Sequence, residues 1–206
     1  MSELMIVMDR TVSMRDSFKP IAKLVVRYIV ERRIEDLEAV GLVLFDDHYS
    51  KMSSEVDKVI LASMSIPILE VHPLTSNLEE FAYYLYSAKP GWGADECEAI
   101  SCAYWKAKEV APGADIWIIT DALPHGVHQD CGYLEDQFPR GCPCGKPLPP
   151  KNTKILLDRG ARSVIMGVWM ENGYTNIVTL DDHFGCQAVQ EAYAEAEQEA
   201  YEIVTL

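Results

Sequence analysis

Residues 4–14 read Leu4-Met5-Ile6-Val7-Met8-Asp9-Arg10-Thr11-Val12-Ser13-Met14, and this stretch decides the fold. The run from Leu4 to Met8 is apolar without alternation, the mark of a parallel strand buried on both faces. It stops at Asp9. Over 14–34 the apolar residues Phe18, Ile21, Ala22, Leu24, Val25, Tyr28 and Ile29 recur at helical spacing between charges, which predicts an amphipathic helix. A buried strand that feeds such a helix opens a doubly wound α/β sheet.

The rest of the chain continues the pattern. Residues 40–45 predict a second strand, closed by the turn-forming pair Asp46 and Asp47. The apolar residues of 51–71 suit one or two short strands, at 58–62 and 68–72. A Ser/Asn cap signal and acidic first-turn residues predict a helix over 75–88. Pro90-Gly91-Trp92-Gly93 breaks it, and 96–110 predicts the next helix. Residues 115–120 form another buried strand, followed by Asp121. From about 122 to 150 the chain is rich in Pro, Gly and Cys and reads as one long irregular loop, a kind that is usually functional. A short helix over 152–159, a strand over 163–169, a short strand over 177–179 and a helix over 187–199 complete the expected set. The alternation predicts a mostly parallel central sheet with helices on both faces, in a single domain over 1–206.

Composition narrows the function. The 206 residues are 49% apolar and 24% charged, the balance of a globular protein with a real core. A net charge of −14 argues against nucleic-acid binding through counterion release and favours a cation site built from carboxylates. No apolar run approaches the roughly 18–20 residues of a membrane span. Residues 1–8 carry no basic region or cleavage signal, so the expected location is the cytoplasm, with no membrane partner. Cys97, Cys102, Cys131, Cys142, Cys144 and Cys186 are expected as buried thiols or ligands rather than a disulfide framework.

In doubly wound sheets, ligands sit beyond the carboxyl ends of the strands. Asp9 and Asp121 each stand just past an apolar strand, on the same rim. Asp9, Thr11 and Ser13 alternate in one tight turn, and their hard oxygens suit Mg²⁺, with Mn²⁺ and Ca²⁺ also admitted. The glycine-hinged loop 91–95 brings Asp95 towards the same place. Each residue has a plainer reading. Asp9, Thr11 and Ser13 could cap the first helix, Asp95 could be a helix N-cap, and Asp121 a turn residue. Trp92 is a candidate partner contact, with packing beneath the loop as its alternative. His125, His128, Cys131, Cys142 and Cys144 offer imidazoles and thiolates for Zn²⁺. Their spacing is not that of a standard finger, and an inert or redox-linked loop is the other reading. Glu191, Glu195, Glu197, Glu199 and Glu202 make a solvated acidic face on the last helix.

At these residues the sequence resembles the von Willebrand factor type A family. Asp9-x-Thr11-x-Ser13-Met14 is similar to that family's metal-ion-dependent adhesion site. Residues 70–77, 91–99 (Gly91-Trp92-Gly93-Ala94-Asp95-Glu96-Cys97-Glu98-Ala99) and 118–126 (Ile118-Ile119-Thr120-Asp121-Ala122-Leu123-Pro124-His125-Gly126) resemble the branch found beside alpha-kinase-type proteins. The resemblance implies a Rossmann-like sheet with one antiparallel edge strand. It also implies a site in which Asp9, Thr11 and Ser13 hold the metal, Asp95 stands at the fourth position and Asp121 acts through water. Val12 stands where the family often has glycine, Arg10 places a cation beside the site where it could contact an acidic partner, and Cys97 replaces the usual proline.

The function implied is a divalent-metal-dependent protein-binding module, in which a carboxylate of a protein partner completes the metal's coordination. An enzyme is not expected. The nearest catalytic alternative is a Mg²⁺-dependent phosphohydrolase, but the general-acid position two residues after Asp9 is Thr11, which cannot protonate a leaving group. A structural assembly subunit with a vestigial metal site is the remaining alternative.

Overall fold

The structure, a computed structural model, describes residues 2–31, 37–48, 68–89, 91, 97–127, 136, 138–159, 161 and 163–204. The strands are β1 (Ser2–Asp9), β2 (Leu37–Phe45), β3 (Leu69–Thr75), β4 (Cys97–Glu98), β5 (Asp115–Thr120), β6 (Leu123–Pro124), β7 (Lys154–Leu157) and β8 (Ile177–Thr179). Six of them form one sheet in the order β3-β2-β1-β5-β7-β8. Every neighbouring pair in it is parallel except β2 and β3, so β3 is the antiparallel edge. The expected doubly wound layout, consistent with a Rossmann-like von Willebrand factor A arrangement, is the one observed. β4 and β6 form a separate two-stranded ribbon.

One 3₁₀ turn (Val12–Met14) leads into α1 (Arg15–Glu31); α2 (Leu78–Ser87), α3 (Ile100–Val110), α4 (Ser163–Glu171), α5 (Leu180–Phe184) and α6 (Cys186–Val204) follow. The pleat of β1 sorts its side chains between two cores. Leu4, Ile6 and Met8 pack with α1, Phe81 and Leu85 of α2, and Leu180, Phe184 and Val189 of α5 and α6. Met5 and Val7 pack on the other face with Ile100, Ala103 and Ala107 of α3 and Ile165 and Trp169 of α4. All five β1 side chains are buried, each contributing roughly 1.5–3 kcal/mol. Among the described residues no helix is long and apolar enough to cross a membrane.

Two elements differ in type from the sequence expectation. Residues 152–159 are not a helix. Lys154–Leu157 is a strand, paired on both sides with β5 and β8 and burying Ile155, Leu156 and Leu157. Three consecutive buried side chains leave no helical period, and the sheet needs a strand beside β5. Residues 163–169 are not a strand. In α4, Ile165 and Trp169, four apart, are buried while Val164 and Met170 are exposed, which is helical spacing. The β-branched Val164, Ile165 and Val168 favour strand by propensity, and packing overrides them.

Smaller differences concern boundaries. β3 runs on to Thr75, with Pro73 tolerated because the strand is at the edge. α2 begins at Leu78, capped by Asn77, whose side chain accepts from the amides of Glu79 and Glu80. The expected helix over 96–110 starts at Ile100, because Cys97 and Glu98 pair with β6. The expected strand at 58–62 lies outside the described residues. On α6 the acidic face is not only solvated. Glu195 pairs with Arg27 of α1, and Glu199 with Lys23, contacts that at this exposure contribute little.

Trp169 is fully buried, donates from Nε1 to the carbonyl of Ala122 at 3.1 Å and packs edge-on against Tyr174. Trp169→Ala is expected to lower unfolding stability by about 3–5 kcal/mol in denaturant titration. A change below 1 kcal/mol (roughly a surface effect) would contradict the packing of α4 described above.

Candidate metal centre

β1 lies between β2 and β5. α1 leaves β1 on one face of the sheet, while α3, which precedes β5, covers the other, so a crevice opens at the carboxyl ends of β1 and β5. Asp9 ends β1 inside that crevice and is fully buried. Its Oδ1 accepts from the Thr11 amide at 2.9 Å and the Thr11 hydroxyl at 2.7 Å, and its Oδ2 accepts from the Thr120 hydroxyl at 2.7 Å. The Ser13 hydroxyl donates to Asp121 Oδ1 at 3.1 Å. Thr11 Oγ1 and Ser13 Oγ approach to 3.0 Å. Each hydroxyl thus reaches one carboxylate and the other hydroxyl. Either hydroxyl can donate across the Thr11–Ser13 contact. Asp9, Thr11, Ser13 and Asp121 thus form one oxygen cluster.

The electrostatics suit a cation. Burial, then the charge of Asp121, push Asp9 up to about 7, while hydrogen bonds from Thr11 and Thr120 pull the other way. Burial also raises Asp121, and Asp158 adds to it. Asp158, buried just past β7, donates its amide to the Thr120 carbonyl at 3.1 Å and accepts from the Tyr193 hydroxyl at 2.6 Å. It is a third carboxylate on the rim that sequence reasoning missed. The signal was present, since an apolar run ending in Asp marks both Asp9 and Asp158, but the helical reading of 152–159 concealed it. The donor set, carboxylates and hydroxyls in a partly exposed crevice, fits a hard divalent cation.

Arg10 is placed otherwise than expected. It is not a surface contact for a partner: its side chain is only 2% exposed. Nε and Nη2 donate to Asp46 Oδ2 at 2.9 and 2.8 Å, and Nη1 donates to Glu70. The Arg10 amide also donates to the Phe45 carbonyl at 3.0 Å, so the residue is tied to the end of β2 by main chain and side chain alike. The carbonyl of Arg10 accepts from the amide of Gly91 at 2.7 Å, and a Cβ on Gly91 would run into the Asp46 carboxylate. The start of the glycine loop is therefore tied to the turn beside Asp9. Asp95 and Trp92 lie outside the described residues, as do His128 and Cys131.

The expected zinc set is divided. His125 is fully buried between two carboxylates, Nδ1 at 2.9 Å from Asp136 and Nε2 at 2.8 Å from Asp47, so both ring nitrogens are engaged away from Cys142 and Cys144. Cys142 and Cys144 lie instead with His48 and Cys102. Cys102 and Cys144 are bonded to each other, where the sequence reading expects thiols or ligands. Burial raises the Cys142 thiol and lowers His48, for which neighbouring His125 adds to the effect.

No family model matches the sequence, and no curated protein matches it either. Solved structures do. The chain is similar to the pilus adhesin SpaC from Lactobacillus rhamnosus GG, with a TM-score of 0.54 and 11% identity, over 98% of this chain and 30% of that one. It also matches the vWF domain of the type V pili tip protein Mfa5 from Porphyromonas gingivalis, with a TM-score of 0.39 and 15% identity, over 60% of this chain and 38% of that one. The chain thus spans well under half the length of either. At such identities the likeness to SpaC is one of fold alone.

Arg10→Ala leaves Asp46 without its guanidinium in a buried place. A loss of about 3–5 kcal/mol in unfolding stability is expected, largely recovered when Asp46→Ala is added. A double variant whose loss equals the sum of the two single losses would show that the pair is not coupled.

Proposed function

We propose that the chain is a divalent-cation-dependent protein-binding domain whose site is built by Asp9, Thr11, Ser13 and Asp121. The carrying observation is the oxygen cluster at the β1/β5 crevice, with two hydroxyls 3.0 Å apart between two carboxylates. A cation there supplies an electrophilic point at which a carboxylate of a partner protein completes the coordination sphere. Mg²⁺ is the first candidate, and the same oxygens accept Mn²⁺ and Ca²⁺. Asp95 is proposed to join from the loop that Gly91 ties to Arg10, and Trp92, on that loop, to contact the partner.

The chain's own residues do three things in this reading. Thr120 and the Thr11 amide fix the Asp9 carboxylate, so its orientation does not depend on the ligand. Ser13 and Asp121 stand on the open side, where a partner arrives. Arg10, turned away to Asp46 and Glu70, neutralises the acidic end of β2 without occupying the site. The fold likeness to a pilus adhesin is in keeping with this, as are the motifs at 70–77, 91–99 and 118–126 that resemble the branch beside alpha-kinase-type proteins. A phosphohydrolase is disfavoured because Asp9, its natural nucleophile, is fully buried with both oxygens accepting hydrogen bonds.

Mg²⁺ or Mn²⁺ at about a hundred times its dissociation constant is expected to stabilise the protein by about 2.7 kcal/mol in thermal unfolding. Asp9→Asn, which keeps the shape, should abolish the effect. Mn²⁺ bound to the wild-type chain should enhance water-proton relaxation, and a glutamate-rich peptide should reduce the enhancement by displacing a coordinated water. Identical melting with Mn²⁺ and with chelator would overturn the reading. Enhancement that no acidic peptide alters would leave a cation site but refute the partner-binding role.

A further inference from the structure

A second group of ligand atoms lies apart from the oxygen cluster. His48 follows β2, Cys102 is in the first turn of α3, and Cys142 and Cys144 flank Pro143 in the long loop. His48 Nε2 is 2.8 Å from Cys142 Sγ and 3.3 Å from Cys102 Sγ. Cys142 Sγ is 3.0 Å from both Cys102 Sγ and Cys144 Sγ. All four ligating atoms fall within 4.8 Å of one another. Three distant stretches of chain thus aim one nitrogen and three sulfurs at a single point.

We propose that, with its cysteines reduced, the chain binds one Zn²⁺ through His48 Nε2 and the thiolates of Cys102, Cys142 and Cys144. Three soft thiolates and one imidazole make a closed, four-coordinate structural zinc set. Zn–S bonds of about 2.3 Å in a tetrahedron hold their sulfurs about 3.8 Å apart, so shifts of about an ångström admit the ion. The surroundings support a structural role. His125, Asp47 and Asp136 buttress the imidazole side: Asp47 accepts from the His48 amide and pairs with His125. Phe138 packs edge-on against both rings, at centroid distances of 5.9 Å to His48 and 4.9 Å to His125. The apolar cluster beside the sulfurs is small, comprising Ala99, Cys102 and Cys142 with Ile68 and Leu69 against it. A cation at this point joins the loop to α3 and to the end of β2, where little apolar surface does so.

The Cys102–Cys144 bond and the zinc-bound state exclude each other. A dithiol reductant opens the bond by thiol–disulfide exchange, becoming a disulfide itself and leaving two thiols. On binding Zn²⁺, the three thiols release three protons to the buffer, and the imidazole binds neutral.

The test uses the full chain, purified anaerobically with a thiol reductant and Zn²⁺, then freed of loose metal. One zinc per chain is expected by elemental analysis. Co²⁺ in its place should give the thiolate charge-transfer bands and the intense visible bands of a tetrahedral site. Alkylation with mass spectrometry should find Cys102, Cys142 and Cys144 protected with zinc and reactive after its removal, while the exposed Cys186 reacts in both. Cys142→Ser and His48→Ala should each lose most of the metal, and Asp9→Asn should keep it, which separates this site from the oxygen cluster. Absence of stoichiometric zinc together with absence of tetrahedral Co²⁺ bands would overturn the proposal. So would zinc that leaves Cys102 open to alkylation. The Co²⁺ spectrum and the alkylation pattern are read on the wild-type chain, so a variant that fails to fold leaves the test decisive.

Discussion

A carboxylate buried at the end of the central strand constrains everything around it. Asp9 has no exposed surface, and an ionised group so placed must be matched by hydrogen bonds, each contributing about 1.5–3 kcal/mol when one partner is charged. It takes three: two from Thr11 and one from Thr120. The Thr11 pair folds the chain back at once and opens the turn that leads into α1. The Thr120 bond closes β5 onto β1 at the point where the helices on either side part. The crevice and its rim of oxygens follow from satisfying one side chain.

The same residue explains why the oxygen cluster is legible in the sequence. An apolar run that ends in Asp, then Thr and Ser at alternate positions, encodes a buried strand, its polar end and the hydroxyls that serve it. Asp121 could be read likewise from the end of the next such strand. The two-faced, mostly parallel sheet follows from the order of strands and helices, while the antiparallel edge was implied by the resemblance alone. Reading failed where local pattern and packing disagree. Residues 154–157 are too few to show a period, and their strand character comes from neighbours on both sides, which no window of sequence contains. Residues 163–171 have the β-branched content of a strand, yet the faces they bury, Ile165 with Trp169, are helical. Asp158 was lost with the first error.

Long-range partners were the other illegible class. Arg10 stands between Asp9 and Thr11 in sequence, so proximity suggested that its charge bears on the site. Its role is fixed by Asp46 and Glu70, which lie 36 and 60 residues away. His48 carried no signal of its own, because a lone histidine after a strand is ordinary. Only the approach of Cys102 and Cys142 gives it one. For His125 the motif pointed the right way in space but to the wrong atoms, since two aspartates claim both nitrogens.

The end of β2 joins these separate features. Three consecutive residues there serve three different places: Asp46 holds Arg10 of the rim turn, Asp47 holds His125 of the loop, and His48 meets the sulfurs of Cys102 and Cys142. In an extended or loosely turned segment, successive side chains point in different directions, so one short stretch can do this without strain. The consequence is mechanical. The turn carrying Thr11 and Ser13, the glycine loop tied to the Arg10 carbonyl, and the long loop after Asp121 are all referred to one rigid strand end. Few apolar residues pack around Cys142, so the described part of the long loop there gains little anchorage from burial. The common anchorage of these segments at 46–48 ties the described parts of the rim to the sheet. The sulfur cluster and the turn that holds Asp9 are thus attached to neighbouring residues of one strand end, His48 and Asp46.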